Sequence, residues 1–349
     1  MDDPVSALKN AHLSPGRRSW LRFRANRRGY ISLWLFSILF VLSLCAEVLL
    51  NDKPLIISYQ NELYFPFLTS YPETAFGGDF ETEADYSDPY VRELITAGDN
   101  WVLDPLIKFS HNSINFMSEL PNPAPPSSQN LLGTDDRGRD VLTRLVYGFR
   151  LSVLFAFALT AIGVVIGILA GAIQGYFSGR LDLIMQRLIE VWSSMPELYL
   201  LIIFASIFQP SIWLLIVLLS MFGWMGLSDY VRAEFLRGRN MDYVRAARAL
   251  GLSDAAIMRH HLLPNSMIPV ITFLPFRISG SILALTSLDF LGLGVPPTTP
   301  SLGELLAQGK ENIEAYWLSL STFLVLVGTL MLLIFIGEAL REAMDTRKN

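Results

Sequence analysis

The chain has 349 residues, 52% hydrophobic and only 17% charged, with a mean hydropathy of +0.39. A soluble domain carries about 25% charged residues, so the composition argues against an ordinary soluble enzyme and points to lipid. The net charge of −5 would ordinarily argue against an anionic partner, but it conceals two oppositely charged regions; no nucleic-acid partner is predicted, and the single cysteine, Cys45, excludes an intramolecular disulfide.

Residues 1–30 form a basic segment: Lys9, Arg17, Arg18, Arg22, Arg24, Arg27 and Arg28 stand against Asp2 and Asp3. The first apolar run, 31–50, follows at once, and roughly 20 apolar residues suffice to span a bilayer. Leu42, Ser43, Leu44 and Cys45 faintly suggest a processing site, but the run is longer than a secretory core and Leu44 is bulky where a small residue is wanted. An uncleaved anchor is predicted.

Residues 51–150 are predicted to be an acidic insertion ending in an interfacial helix. From 51 to 136 there are fourteen carboxylates against Lys53, Arg92 and Lys108. Pro121, Pro123, Pro125 and Pro126 predict a stiff, extended linker. Two readings of the insertion stand: a partly ordered shield with little core of its own, or a docking surface for a periplasmic partner. Between Gly138 and Gly148, Val141, Leu142, Leu145 and Val146 oppose Arg139, Asp140 and Arg144, which predicts an amphipathic turn lying in the interface before the chain enters the bilayer at Leu151.

Five further apolar runs follow, at 151–173, 188–208, 212–230, 268–291 and 317–336. Backbone polar groups in hydrocarbon must pair within their own segment, so the six runs are predicted to be helices and the fold class all-α membrane protein. Gly163, Gly167 and Gly171 give the second run a face for close helix packing, either within the chain or against a partner. With the N-terminus inside, 1–30, 174–187, 231–267 and 337–349 hold 18 of the 27 Lys and Arg, which predicts both termini cytoplasmic.

The loop 231–267 carries the most pattern. Asp242 is predicted to cap a helix whose Tyr243, Ala246, Ala247 and Leu250 share one narrow apolar face. Gly251 ends that helix, and Ser253 with Asp254 starts a second that stops before Pro264. A compact elbow of this kind can seat in a groove of another protein and move both adjoining spans; the other reading is a loop that merely connects them.

The chain has no G-x-x-x-x-G-K-[ST] loop, no H-E-x-x-H pair and no G-x-S-x-G elbow, so neither ATP hydrolysis nor another catalytic site is predicted, and no cofactor. His260 and His261 are adjacent on a helix and point apart, which does not suit a shared metal. Charged groups at bilayer depth are expensive, which singles out Arg277, Asp289 and Glu197 as candidates for a translocation path. Arg277 suits an ion pair with a neighbouring acid that fixes helix rotation, and it also suits a peptide carboxylate.

The elbow resembles the "EAA" loop of ABC-importer permeases, through Ala246, Ala247, Gly251, Leu263, Pro264 and Asn265, with Arg245 in place of the glutamate. The stretches Leu132–Asp140 and Phe290–Pro297 are similar to segments of oligopeptide and dipeptide permeases, and the resemblance covers about residues 130–349. The long insertion resembles that of the Yej-type permeases of microcin C and oligopeptide importers. The resemblance implies a type I importer permease fold with six transmembrane helices, a permease core at 151–349, and an inner-membrane location. It also implies a second, different permease, two cytoplasmic ATP-binding domains and a periplasmic peptide-binding protein as partners, with peptides as cargo and nickel chelate or a non-transporting scaffold as alternatives.

Overall fold

The structure, a computed structural model, describes residues 14–116 and 120–345. The predicted basic segment is therefore described only from residue 14, and Asp2, Asp3 and Lys9 lie outside the described residues. The last segment, 337–349, is described as far as 345.

Helix α1 (Pro15–Ala25) turns at Asn26 into α2 (Arg27–Leu44), the first span, and a short α3 (Ala46–Leu49) follows. Asn26 both ends α1 and caps α2, its side chain accepting from the Gly29 N–H at 3.1 Å. Gly29 sits directly against Ala339, where any side chain would collide, so α2 packs closely on the last span.

The insertion has a core, contrary to the expectation of little independent structure. Strands β1 (Ile56–Tyr59), β2 (Glu62–Tyr64) and β3 (Trp101–Leu103) form an antiparallel sheet in the order β2-β1-β3. Gln60 and Asn61, at φ 51° and 69°, make the tight hairpin that twisted strands favour. Phe76, fully buried, meets Tyr59, Tyr64, Tyr71 and Tyr86 edge-on with ring centroids 5.2–6.2 Å apart. Helix α4 (Pro89–Thr96) closes the cluster with Val91 and Ile95. Reading the acidic surface alone underestimated these rings; the carboxylates cover a small aromatic core.

The turn predicted to lie separately in the interface is the start of one continuous helix, α5 (Val141–Phe177), capped by Asp140 through the Thr143 N–H at 2.7 Å. Its polar side is enclosed too. Arg144 is fully buried and lies 3.4 Å from Asp135, which also holds Arg139 at 2.7 Å. Arg144 donates to the carbonyls of His111, Pro297 and Thr299, and Arg139 to that of Pro297. An amphipathic pattern thus marks a buried charge cluster binding three segments, because each ion there has a partner.

The segment predicted to connect the second and third spans is almost all helix. Ser178 and Gly179, at φ 56° and 63°, turn the chain from α5 directly into α6 (Gly179–Ser193). The apolar run 188–208 is bent by 64° between α6 and α7 (Glu197–Ile207), a broken span or re-entrant pair. Pro196 explains the break: it lacks an N–H and disfavours helix in the residue before it. Besides this pair, five helices among the described residues are long and apolar enough to span: Arg27–Leu44, Val141–Phe177, Ile212–Gly238, Asp254–Phe290 and Tyr316–Met344.

Helices α8 (Ile212–Gly223) and α9 (Met225–Gly238) run on past the expected end at 230. The α5 glycine face packs within the chain: methyls on Gly167, Gly171 and Gly175 would meet Leu227 at 3.0 Å, Ser228 at 2.4 Å and Phe235 at 2.5 Å on α9, and one on Gly163 would meet the Arg277 side chain at 2.9 Å. In lipid the hydrophobic effect does not pull helices together, so such close van der Waals contact does. Helices α10 (Asp242–Ala249), α11 (Asp254–Ile257), α12 (Leu263–Phe290), α13 (Leu302–Glu311) and α14 (Tyr316–Met344) complete the chain.

Candidate coupling elbow and membrane cleft

The elbow starts where α9 ends at Gly238. Met241, not Asp242, occupies the cap position of α10 and makes no side-chain cap; Asp242 is the first helical residue, where its charge complements the helix dipole. Gly251 closes α10 at φ +79°, its N–H donating to the Arg248 carbonyl at 3.0 Å and that of Leu252 to Ala247 at 3.2 Å, a left-handed helix stop. Ser253 then caps α11, accepting from the Ala256 N–H at 3.4 Å.

The second helix does not stop before Pro264. A π turn, Met258–Leu262, carries it into α12, with the Leu263 N–H bonded to the Met258 carbonyl. Proline is tolerated in the first turn of a helix, and the widened turn absorbs the register. Asn265 reaches back to Tyr243 at 3.5 Å and to the His261 carbonyl at 3.2 Å. The structure therefore brings Ala246, Ala247, Leu250, Gly251, Ser253, Asp254, Leu263, Pro264 and Asn265 into one elbow.

The expected apolar face divides in two. Val244 and Ala247 are buried against Tyr176, Phe235, Ile257 and Leu262, while Tyr243, Ala246 and Leu250 point outward, Leu250 at 81% exposure. The larger Val244 sits three residues from Ala247, and that pair is the face the bundle covers.

Tyr176, which sequence reasoning passed over, fastens the elbow to α5. Its hydroxyl donates to Asp254 and accepts from Arg248 at 3.2 Å, and the Arg248 guanidinium lies 5.7 Å from the ring centre. Its carbonyl accepts from Arg239 at 2.9 Å. Nothing in the spacing of an aromatic residue at the end of an apolar run signals that role.

Arg277 and Glu197 line one cleft of about 660 Å³, between the Met195–Pro196 break, the α8–α9 junction and α12. Arg277 donates to the Gly223 carbonyl, and its buried Nε has no partner among the described residues. Glu197 stands on the other wall as the first residue of α7. They form no ion pair with each other among the described residues, so charges of both signs face the cleft. Small residues Gly223, Gly226, Gly280 and Ser281 leave room beside them.

Asp289 is elsewhere. One carboxylate oxygen accepts from the Val295 N–H at 2.8 Å and the other from the Ser301 hydroxyl, so it fastens the turn between α12 and α13 and does not line the cleft. His260 sits over its own helix, with a ring nitrogen 3.2 Å from the Ala256 carbonyl.

A bundle of spans with one helix broken at a polar cleft, and a capped elbow continuous with a spanning rod, defines the membrane-embedded subunit of a transport assembly. A family model for the binding-protein-dependent transport system inner membrane component matches residues 163–349, and one for the N-terminal TM domain of oligopeptide transport permease C matches 14–75. The chain is 54% identical over 339 residues to the inner membrane ABC transporter permease protein YejE of Escherichia coli (strain K12), covering 97% of this chain and 99% of that one. It is 49% identical over 358 residues to the peptidoglycan transport system permease protein YejE of Agrobacterium fabrum, covering 95% and 93%. The chain belongs to the binding-protein-dependent transport system inner membrane component family, the permease subunits of ABC importers. A chain of the inward-facing MetNI methionine ABC transporter shares the fold at a TM-score of 0.50 and 18% identity, over 58% of this chain and 97% of that one.

Proposed function

We propose that this subunit imports peptides, working with a second, different permease, two ATP-binding domains and a periplasmic peptide-binding protein. The oligopeptide permease model over 14–75 and the relative named for peptidoglycan transport support a cargo with peptide bonds. Hydrolysis of ATP belongs to the partner chains, and this chain supplies path and lever. Both termini and the elbow face the cytoplasm in this reading, which places the 51–130 insertion on the side of the binding protein.

The observation that carries the reading is the elbow's construction. Its outward face of Tyr243, Ala246 and Leu250 is apolar, with Ala246 small enough to let a partner approach closely. Its inward face and the Tyr176 clamp join it to α5, and the π turn makes it one continuous rod with α12, which carries Arg277. A push on α10 therefore moves the wall of the cleft. Arg277 and Glu197 offer opposite charges to the two ends of a peptide, and Asp289 holds the far end of the same rod to its loop.

The test is reconstitution of the complete assembly in proteoliposomes with a radiolabelled tripeptide. ATP-dependent accumulation is expected, and Leu250→Glu is expected to abolish it while the complex remains in the membrane. Failure of the wild-type assembly to accumulate any peptide overturns the cargo; full uptake by Leu250→Glu overturns the elbow as the docking face.

A further inference from the structure

The segment ahead of the first span is more than a topological signal. Arg17, Arg18, Arg22, Arg24, Arg27 and Arg28 fall within α1 and the first turn of α2, and no carboxylate occurs from residue 14 until Glu47. Arg17, Arg18, Arg27 and Arg28 form no ion pair among the described residues; Arg22 donates to the Asp345 carbonyl at 3.3 Å, and Arg24 lies 6.0 Å from the Tyr30 ring centre. The nearby Glu342 is engaged by Asn26 at 2.8 Å.

Beside this charge lies a groove of about 610 Å³ between α1, the start of α12 and the end of α14. Trp20, Phe23, Ile268 and Met344 line it, with Arg18 and Arg22 also bordering it. Trp20, half exposed, leads an edge-to-face ladder through Tyr30 to Trp34 that continues onto the first span. Tryptophan and tyrosine concentrate at headgroup depth, and a basic amphipathic helix lies in that plane.

We propose that this groove binds an anionic phospholipid, its phosphate on Arg18, with the exposed Arg17 adding charge at the groove's edge, and an acyl chain along Trp20, Ile268 and Met344. Arginines with no ion-pair partner among the described residues attract anions, and an apolar trough opening at the mouth of a spanning helix suits one that carries its own hydrocarbon. Pro264 and Asn265 also line the groove, so the bound lipid touches the joint between elbow and α12.

The test uses the full assembly in vesicles of phosphatidylcholine or phosphatidylglycerol carrying brominated acyl chains, with Trp20→Phe subtracted to isolate the Trp20 signal. Quenching of Trp20 is expected to favour the anionic lipid about tenfold, since each basic residue near an anionic surface contributes on the order of 1 kcal/mol. The Arg17→Gln/Arg18→Gln pair loses that preference and the Arg17→Lys/Arg18→Lys pair keeps it, which separates charge from folding. Equal quenching by the two lipids, or a preference that survives Arg17→Gln/Arg18→Gln, overturns the proposal. Displacement by excess soluble glycerol phosphate assigns the site to a free phosphate, and protection of Trp20 from both lipids by the partner chains assigns the groove to protein; either outcome overturns it.

Discussion

The hydroxyl of Tyr176 donates to the carboxylate of Asp254 across 78 positions of sequence, joining the end of one span to the first turn of the helix that becomes another. Arg248 completes the clamp from α10. Removing the hydroxyl in Tyr176→Phe keeps the ring and its packing. A hydrogen bond to a charged group is worth about 1.5–3 kcal/mol, with less expected at this partly exposed site. Loosening rather than unfolding is therefore expected: ATP turnover near wild type with peptide uptake per ATP reduced several-fold, measured as the ratio of the two rates in proteoliposomes. An unchanged ratio removes Tyr176 from the coupling path.

Gly251 isolates the backbone from sterics. At φ +79° with open space around its Cα, a substituent there meets no neighbouring atom, so only conformation is at stake. A left-handed residue other than glycine costs roughly 1–2 kcal/mol, least for asparagine and most for β-branched residues. Gly251→Asn is expected to retain most uptake and Gly251→Val to lose most of it. Equal activity in the two would show that the stop between α10 and α11 has no mechanical role.

His111 gives the insertion a pH dependence. Burial first, then the charges of Arg144 and Arg150, hold its pKa below 6.5. The folded chain thus keeps a neutral ring, stacked on Tyr147 at 4.7 Å. As pH falls below about 6.5 the unfolded chain takes up the proton first, so this contribution to stability is lost from there down to the lower folded pKa and is level beneath it. Melting temperatures of the purified complex between pH 8 and 5 should fall, and His111→Gln should flatten that part of the slope.

Periodicity and composition made the spans legible, because lipid imposes one rule on every backbone group. Gly251 and Ser253 were equally legible as stop and start, since each acts through its own backbone or nearest turn. Partnerships between distant segments were not. Arg139 and Arg144 read as the wet side of an interfacial turn until Asp135, His111, Pro297 and Thr299 closed over them. Val244 displaced Ala246 from the inward face, and Phe76 built a core beneath an acidic surface, both through contacts that neither period nor charge encodes.

Arg277 separates recognition from rotation of the helix. If the guanidinium only anchored α12 to the Gly223 carbonyl, any group able to donate there would serve, and Arg277→Gln would treat all cargoes alike. If it also meets the carboxylate of a peptide in the cleft opposite Glu197, the loss depends on cargo. For a tripeptide with a free C-terminus, uptake by Arg277→Gln is expected to fall about tenfold relative to wild type, the scale of one charge-assisted hydrogen bond. For the C-terminally amidated peptide, the variant and wild type should differ little, because the amide has no charge to lose. Competition uptake of the two labelled peptides by each assembly reads the ratio directly, and an equal reduction for both would leave Arg277 as an anchor alone.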